Sequence, residues 1–154
     1  MKKLILLLPL LSCSLIQQRV SLANCKFSLK SASLKGVDFS GFDLGIILNV
    51  QNPNEIDAVL DRITGTIKLD GYKIADVSNS YKRTIRARGS ADVPIDVRVE
   101  FSSLGSAVNA VRDIILKRRA NVSFEGKGYV DYEVPIVGKR SFSYPINLSR
   151  EFSL

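Results

Sequence analysis

The run Gly41-Phe42-Asp43-Leu44-Gly45-Ile46-Ile47-Leu48-Asn49-Val50 constrains this chain more than any other stretch. Phe42, Leu44, Ile46, Leu48 and Val50 recur at every second residue, the period at which a pleated strand turns one face to a core. A helix of 3.6 residues per turn would scatter them around its axis. Asn52-Pro53-Asn54 then stops the strand, because proline has no N–H for a ladder and asparagine side chains favour turns. A strand this apolar on one face needs a second layer to cover it.

The same alternation governs most of the remaining chain. Phe27 and Leu29 share one parity and Ala32 and Leu34 the other, which a bulge near Lys30 and Ser31 reconciles. Ile63, Ile67 and Leu69 face one way, and Arg62, Thr64, Thr66 and Lys68 the other. Asp70-Gly71 predicts a two-residue hairpin, from which Tyr72 to Val77 returns. Val77 to Lys82 reads as a polar connection, and Thr84 to Arg88 as a short basic edge strand. Val93, Ile95, Val97, Val99 and Phe101 alternate again, with Pro94 near the start, where proline is tolerated. Val122, Phe124, Val130, Tyr132 and Val134, then Phe142, Tyr144, Ile146 and Leu148, make two long final strands turned between Pro135 and Arg140. Arg150 to Leu154 reads as a tail.

Only one stretch changes period. Leu104, Val108, Val111 and Ile115 are spaced i, i+4, i+7, i+11, which predicts an α-helix near residues 103–118. Ser102 or Ser103 is its expected cap, and Lys117-Arg118-Arg119 suits the negative end of its dipole. About seven strands and one helix give an all-β fold, an antiparallel β-sandwich.

The first residues have a different character. Lys2-Lys3 precede the apolar run Leu4 to Leu11, and Leu10-Leu11-Ser12-Cys13 resembles a bacterial lipobox. The run is too short to span a bilayer. That resemblance implies cleavage before Cys13, acylation of its sulfur, and a membrane held through the Cys13 anchor. It divides the chain into a signal peptide over 1–12, a lipidated tether over 13–26 and a folded domain over 27–150. Ser14 after the cysteine implies, by the enterobacterial sorting rule, the outer membrane on its periplasmic side. The alternative is cleavage after Ser21-Leu22-Ala23, which releases a soluble secreted or periplasmic protein beginning at Asn24. Either cut leaves Cys25 without a thiol partner, so no intramolecular disulfide is expected. A small packed residue is the better reading of Cys25 than a nucleophile.

Composition argues against chemistry. With no histidine, the chain lacks the usual general base at neutral pH and the commonest transition-metal ligand. No catalytic residue, metal or cofactor is expected. The oxygen-rich loop Asn52, Asn54, Glu55, Asp57 and Asp61 lacks the spacing and central glycine of an EF-hand, and reads as a turn with solvated charges. The formal charge of +7 falls by two when the leader's lysines are removed. Lys82, Arg83, Arg86 and Arg88 form the densest basic stretch, a candidate contact for anionic lipid headgroups or a charged edge that blocks sheet aggregation. Nucleic acid is an unsuitable partner, because no aromatics interleave with these cations and the leader exports the chain. The stripe Leu104, Val108, Val111 and Ile115 either seals the core or lines an apolar groove for a lipid or other hydrophobic ligand. No protein partner is indicated.

The order of elements resembles the late-embryogenesis-abundant type 2 family, which contains the water-stress and hypersensitive-response (WHy) domain. The resemblance runs from about Phe27 to Arg150. It is carried by the strand ending in Asn52-Pro53-Asn54, the hairpin Ile67 to Ala75, the strand Val93 to Phe101 feeding a helix, and the final strand pair. It implies a fibronectin-III-like sandwich with one helix and a non-enzymatic role in desiccation or water-stress tolerance, often in exported or lipid-anchored form. Arg86-Ala87-Arg88-Gly89 stands where the family carries a Pro-Ala-Gly-like turn, so this loop is more basic than the family pattern.

Overall fold

Two antiparallel sheets face each other in a computed structural model that describes residues 22–154. Strands β1 (Lys26–Val37), β2 (Gly41–Gln51) and β5 (Ser90–Glu100) form one sheet in the order β1-β2-β5. Strands β3 (Ala58–Leu69), β4 (Tyr72–Ile85), β6 (Arg119–Val134) and β7 (Gly138–Ser153) form the other in the order β4-β3-β6-β7. The period of two becomes burial. Phe42, Leu44, Ile46, Leu48 and Val50 are wholly excluded from solvent, in one core cluster with Leu60, Ile63, Ile67, Val122, Phe124 and Val130 of the opposite sheet. Each such side chain contributes about 1.5–3 kcal/mol by leaving water.

The expected irregularities are present. The register between β1 and β2 shifts between Leu29 and Ser31, which puts Leu29 and Ala32 on the same buried face. Asp70 and Gly71 both have positive φ, 47° and 86°, as a two-residue hairpin with the strands' own twist requires. Pro94 lies on β5, at the edge of its sheet, opposite Ile47.

Three expectations are corrected. Val77 to Lys82 is no connection, because β4 runs unbroken from Tyr72 to Ile85; of the expected basic strand it takes in Thr84 and Ile85, and Arg86 to Arg88 lie in the turn before β5. β4 is an edge strand with few inward residues, and a bulge sets Tyr81 and Lys82 opposite Asp61, with Lys82 at φ 47°. That bulge breaks the alternation that would have marked a strand. Arg150 to Ser153 is no tail either, since these residues pair with Arg119 to Val122 as the last part of β7. The expected helix is present, as a 3-10 segment η1 (Phe101–Ala107) running into an α-helix α1 (Val108–Lys117), with a kink inside η1 at Gly105, φ 54° and ψ −126°, but its expected caps are corrected. Neither Ser102 nor Ser103 caps an amide, and Ser103 Oγ instead donates to the Glu100 carbonyl at 2.7 Å. Lys117 lies in the last turn of α1, and Arg118 closes it in the left-handed region.

The sandwich has two distinct ends. At the α1 end, the Asp38 carboxylate accepts from the Ser40 N–H (2.8 Å), Ser40 Oγ (2.7 Å), the Gly41 N–H (3.0 Å) and Arg98 (2.9 Å). These donors, Ser40 first, hold its pKa down at about 2. At the other end lie Leu22 to Cys25, the Gln51-to-Ala58 and Ile85-to-Ser90 connections, and the β6–β7 hairpin. That hairpin overruns its neighbours. The last β3–β6 pair is Ala58 with Tyr132, whereas β6 and β7 stay paired to Val134 and Gly138.

Gly126 explains the glycine-rich middle of β6. A Cβ there would overlap the Thr64 carbonyl oxygen and the Gly65 Cα on β3. Gly126→Ala should therefore lower stability by about 1–3 kcal/mol through overpacking. A urea midpoint equal to that of the parent would refute the close approach of β3 and β6.

Candidate functional site

The loop that ends β2 carries the polar centre of the molecule. Asn52 and Asn54 are 1% and 6% exposed, so the expectation of a solvated turn is corrected for these two residues. Chain geometry places them there. Pro53 cannot pair, the strand must cross from one sheet to the other, and the crossing leaves backbone groups without ladder partners.

Asn52 supplies those partners. Its Nδ2 donates to the carbonyls of Ile56 (2.8 Å), Ile85 (3.1 Å) and Arg86 (3.3 Å), and its own N–H donates to the Gly89 carbonyl at 2.9 Å. The side chain thus ties the end of β2 to the start of the β2–β3 crossing and to the end of β4, and the backbone N–H of the same residue ties it to the start of β5. Its Oδ1 accepts from the Asn54 N–H and from Asn54 Nδ2, both at 3.1 Å.

Asn54 carries the network to the N-terminal segment. Its Oδ1 accepts the Ala23 N–H at 2.7 Å and its Nδ2 donates to the Ala23 carbonyl at 2.9 Å. The amide reads both backbone groups of one residue, as a neighbouring strand would. Nδ2 also donates to Tyr132 Oη at 3.3 Å, which lies 3.2 Å from Tyr144 Oη and 3.1 Å from Cys25 Sγ. Among the described residues, no buried side-chain polar atom lacks a partner.

The chemistry of this network is that of a clasp. Burial pushes the Cys25 thiol up, although the bond to Tyr132 opposes the shift. Burial also raises Tyr132 and Tyr144, and for Tyr132 the bonds to Cys25 and Tyr144 add to it. All three stay protonated at neutral pH, so the relay contains neither a thiolate nor a base. Among the described residues, no group of three Cys, Asp or Glu side chains is placed to hold a metal ion.

The other candidate residues fall at the two ends. Cys13 lies outside the described residues. Lys82, Arg83, Arg86 and Arg88 share the Asn54 end, but not one role. Arg83 donates to the Asp92 carbonyl and bridges β4 to β5 across the open side of the sandwich. Arg88 pairs with Glu55 at 3.1 Å, while Lys82 and Arg86 make no ion pair among the described residues. At the opposite end, Val111 and Ile115 pack into the core, 0% and 4% exposed, with Ile114 beside them. Leu104 and Val108 are half-buried against the same cluster. Val108 also lines an open concavity of ≈ 490 Å³ with Phe39, Phe101 and Arg112, and the Arg112 guanidinium covers the Phe101 ring at 4.7 Å.

The clasp is hidden in the sequence because its residues belong to four separate segments. Asn-Pro-Asn suggests a turn, and nothing local says that the turn is buried. The available signal is Tyr132, an inward-facing hydroxyl that needs a partner.

Two substitutions test the clasp. Asn52→Ala should cost about 2–4 kcal/mol, since it orphans buried carbonyls as well as the Asn54 amide. Asn54→Ala should cost about 1–3 kcal/mol and release the Ala23 amide to rapid hydrogen exchange. Unchanged urea midpoints in both would refute the network. The buried thiol makes a separate prediction. Cys25 should resist a water-soluble thiol reagent at pH 8 in the folded chain and react once urea unfolds it, whereas labelling at the rate of a free cysteine would place the thiol at the surface.

A family model described as late embryogenesis abundant protein matches residues 48–149. A search of curated proteins returns no match. Among solved structures, the chain is similar to the solution structure of AT1g01470 from Arabidopsis thaliana. That similarity has 19% identity and a TM-score of 0.64 over 91% of this chain and 89% of that one. It is also similar to At2g46140.1, described as a late embryogenesis abundant candidate, with 14% identity and a TM-score of 0.50 over 88% and 75% of the two chains. These likenesses show a shared fold. With Asn52-Pro53-Asn54 and the strands from β3 to most of β7 inside the matched span, the chain belongs to the late embryogenesis abundant protein family LEA_2.

Proposed function

We propose that this chain is a non-enzymatic lipoprotein of the bacterial envelope, anchored through Cys13, that protects membrane or protein surfaces during water loss. Family membership supports a stress-related LEA role. The leader, with its short apolar run ending at Ser12-Cys13, supports the anchor.

One observation carries the choice between the two ways of processing the leader. Cleavage after Ala23 would remove the residue whose N–H and carbonyl both bond to the buried Asn54 side chain. The Asn54 amide, 6% exposed, would then keep its polar atoms buried with fewer partners, at a cost of about 1–3 kcal/mol. Cleavage before Cys13 keeps Ala23 in place and so keeps the clasp closed. The clasp also sets geometry. From Cys13 to Ala23 is ten residues, a reach of roughly 35 Å when fully extended. A strand of 16 residues such as β6 is roughly 50 Å long. The Asn54 end therefore faces the lipid and the α1 end points away. A fold held at one end and wetted on its outer faces suits a role as a hydrated spacer over the membrane.

The intact mass of the mature chain tests this. It should correspond to a chain that begins at Cys13 with its acyl groups, and Cys13→Ala should shift the protein out of its mature membrane-bound form. A mass for a chain beginning at Asn24 would overturn the anchor. The stress role is checked by drying cells that lack the protein. Survival should fall, and the parent chain should restore it where Cys13→Ala does not.

A further inference from the structure

The β6–β7 hairpin ends in Val134-Pro135-Ile136-Val137, a four-residue turn closed by the Val137 N–H to the Val134 carbonyl at 3.2 Å. Proline in second place is ordinary for such a turn. The third place, at positive φ, belongs to glycine or asparagine. Ile136 occupies it with φ 70°. A β-branched side chain is strained there, and this one is also wholly exposed. Val137 beside it is 52% exposed. Strain and exposed apolar surface are both unfavourable in water, and glycine or asparagine would relieve both. An outlier of this kind points to a use outside the folded chain.

The surroundings identify the partner. The hairpin overruns the last β3 pairing at Ala58 and Tyr132, so its tip projects beyond the sheet. It does so at the end where the N-terminal segment leaves the fold, beside Asn54 and Ala23. Lys26, Lys82, Arg86 and Arg140 at this end make no ion pair among the described residues. Of the carboxylates there, Glu55 is engaged by Arg88, Asp57 by the Ala87 N–H and Asp131 by Lys139, which leaves Asp61 and Glu133 against the four cations. An apolar point at the same end as four cations unpaired among the described residues matches a bilayer surface with anionic headgroups. The apolar tip enters the acyl boundary by roughly 5–10 Å, and the cations meet the phosphates.

We propose that Pro135-Ile136-Val137 is a membrane-inserting tip that, together with the anchor, fixes the orientation of the sandwich on an anionic lipid surface. This rests on the anchored reading above and adds a second contact to it. Two points of attachment stop the domain from swinging on its tether, so the α1 end is presented outward.

The chain has no tryptophan, so one substitution gives a single fluorescent reporter. The mature acylated chain carrying Ile136→Trp is reconstituted in vesicles of phosphatidylglycerol and phosphatidylcholine. Leu116→Trp, on the exposed side of α1 at the far end, is the control, and Val137→Trp is a second tip reporter free of the strained position. The tip reporters should shift to the blue on vesicles and be quenched by brominated acyl chains, and the Leu116→Trp emission should do neither. A chain that sediments with vesicles while its tip reporters stay unshifted overturns the tip and leaves the anchor standing. A chain that does not sediment and shows no shift overturns both. A blue shift that grows with protein concentration without lipid assigns the tip to contact between copies and overturns the membrane assignment.

Discussion

Two amide side chains hold together the end of the sandwich at which the chain crosses between sheets. A β-sandwich satisfies its backbone inside each ladder, but each crossing leaves carbonyls and N–H groups that face no partner strand. Here two such crossings, β2 to β3 and β4 to β5, lie side by side. Water cannot serve them without opening the core. Asn52 fills the gap with a planar amide that donates to both crossings, and Asn54 extends it to the N-terminal segment. The hydrophobic layers decide that two sheets form. The asparagines decide that this end stays closed, and they make the residues before β1 part of the fold.

That arrangement also explains what was legible in the sequence. Wherever a strand buries one full face, as β2 does from Phe42 to Val50, the period of two is written in the residues. The Leu29–Ser31 bulge was readable for the same reason, because a change of parity is itself a signal. Legibility failed at the edges. β4 and the last turn of β7 have one neighbour each and place few side chains inward, so their residues Ser78, Ser80, Arg150 and Glu151 look like loop. The kink at Gly105 inside η1 is hidden, because the stripe from Leu104 to Ile115 keeps helical spacing across it. The clasp was illegible in another sense. Hydrogen bonds between residues 31, 78 and 107 positions apart leave no local pattern.

The basic stretch from Lys82 to Arg88 illustrates why a run of like charges is a poor guide to a surface. Its four members end in different places. Arg83 turns across to the Asp92 carbonyl of the facing sheet and closes an open side, and Tyr81 does the same to the Pro94 carbonyl at 3.0 Å. Arg88 is neutralised by Glu55. Only Lys82 and Arg86 remain for an outside partner, and they gain a common direction from the fold, which brings Lys26 and Arg140 to the same end. Position in the sandwich, not density along the chain, makes these cations a group.

The two ends of the molecule differ in how they treat exposed cost. At the α1 end, polar turns are neutralised locally: Asp38 is surrounded by Ser40, Gly41 and Arg98, and its carboxyl titrates at about 2. The β3–β4 turn has the residues its geometry wants, Asp70 and Gly71. At the Asn54 end the buried interior is just as well satisfied, yet the hairpin beside it keeps a strained isoleucine at its tip. Among the described non-glycine residues at positive φ, Ile136 is the β-branched one, and it is wholly exposed. A stretch that violates its own turn rule, next to a network that violates none, is readily understood if the violation is relieved when the end meets its surface. The clasp and the tip are then two parts of one device. On the proposed anchored reading, the first fixes where the N-terminal segment leaves the fold, and the second gives that end a further contact.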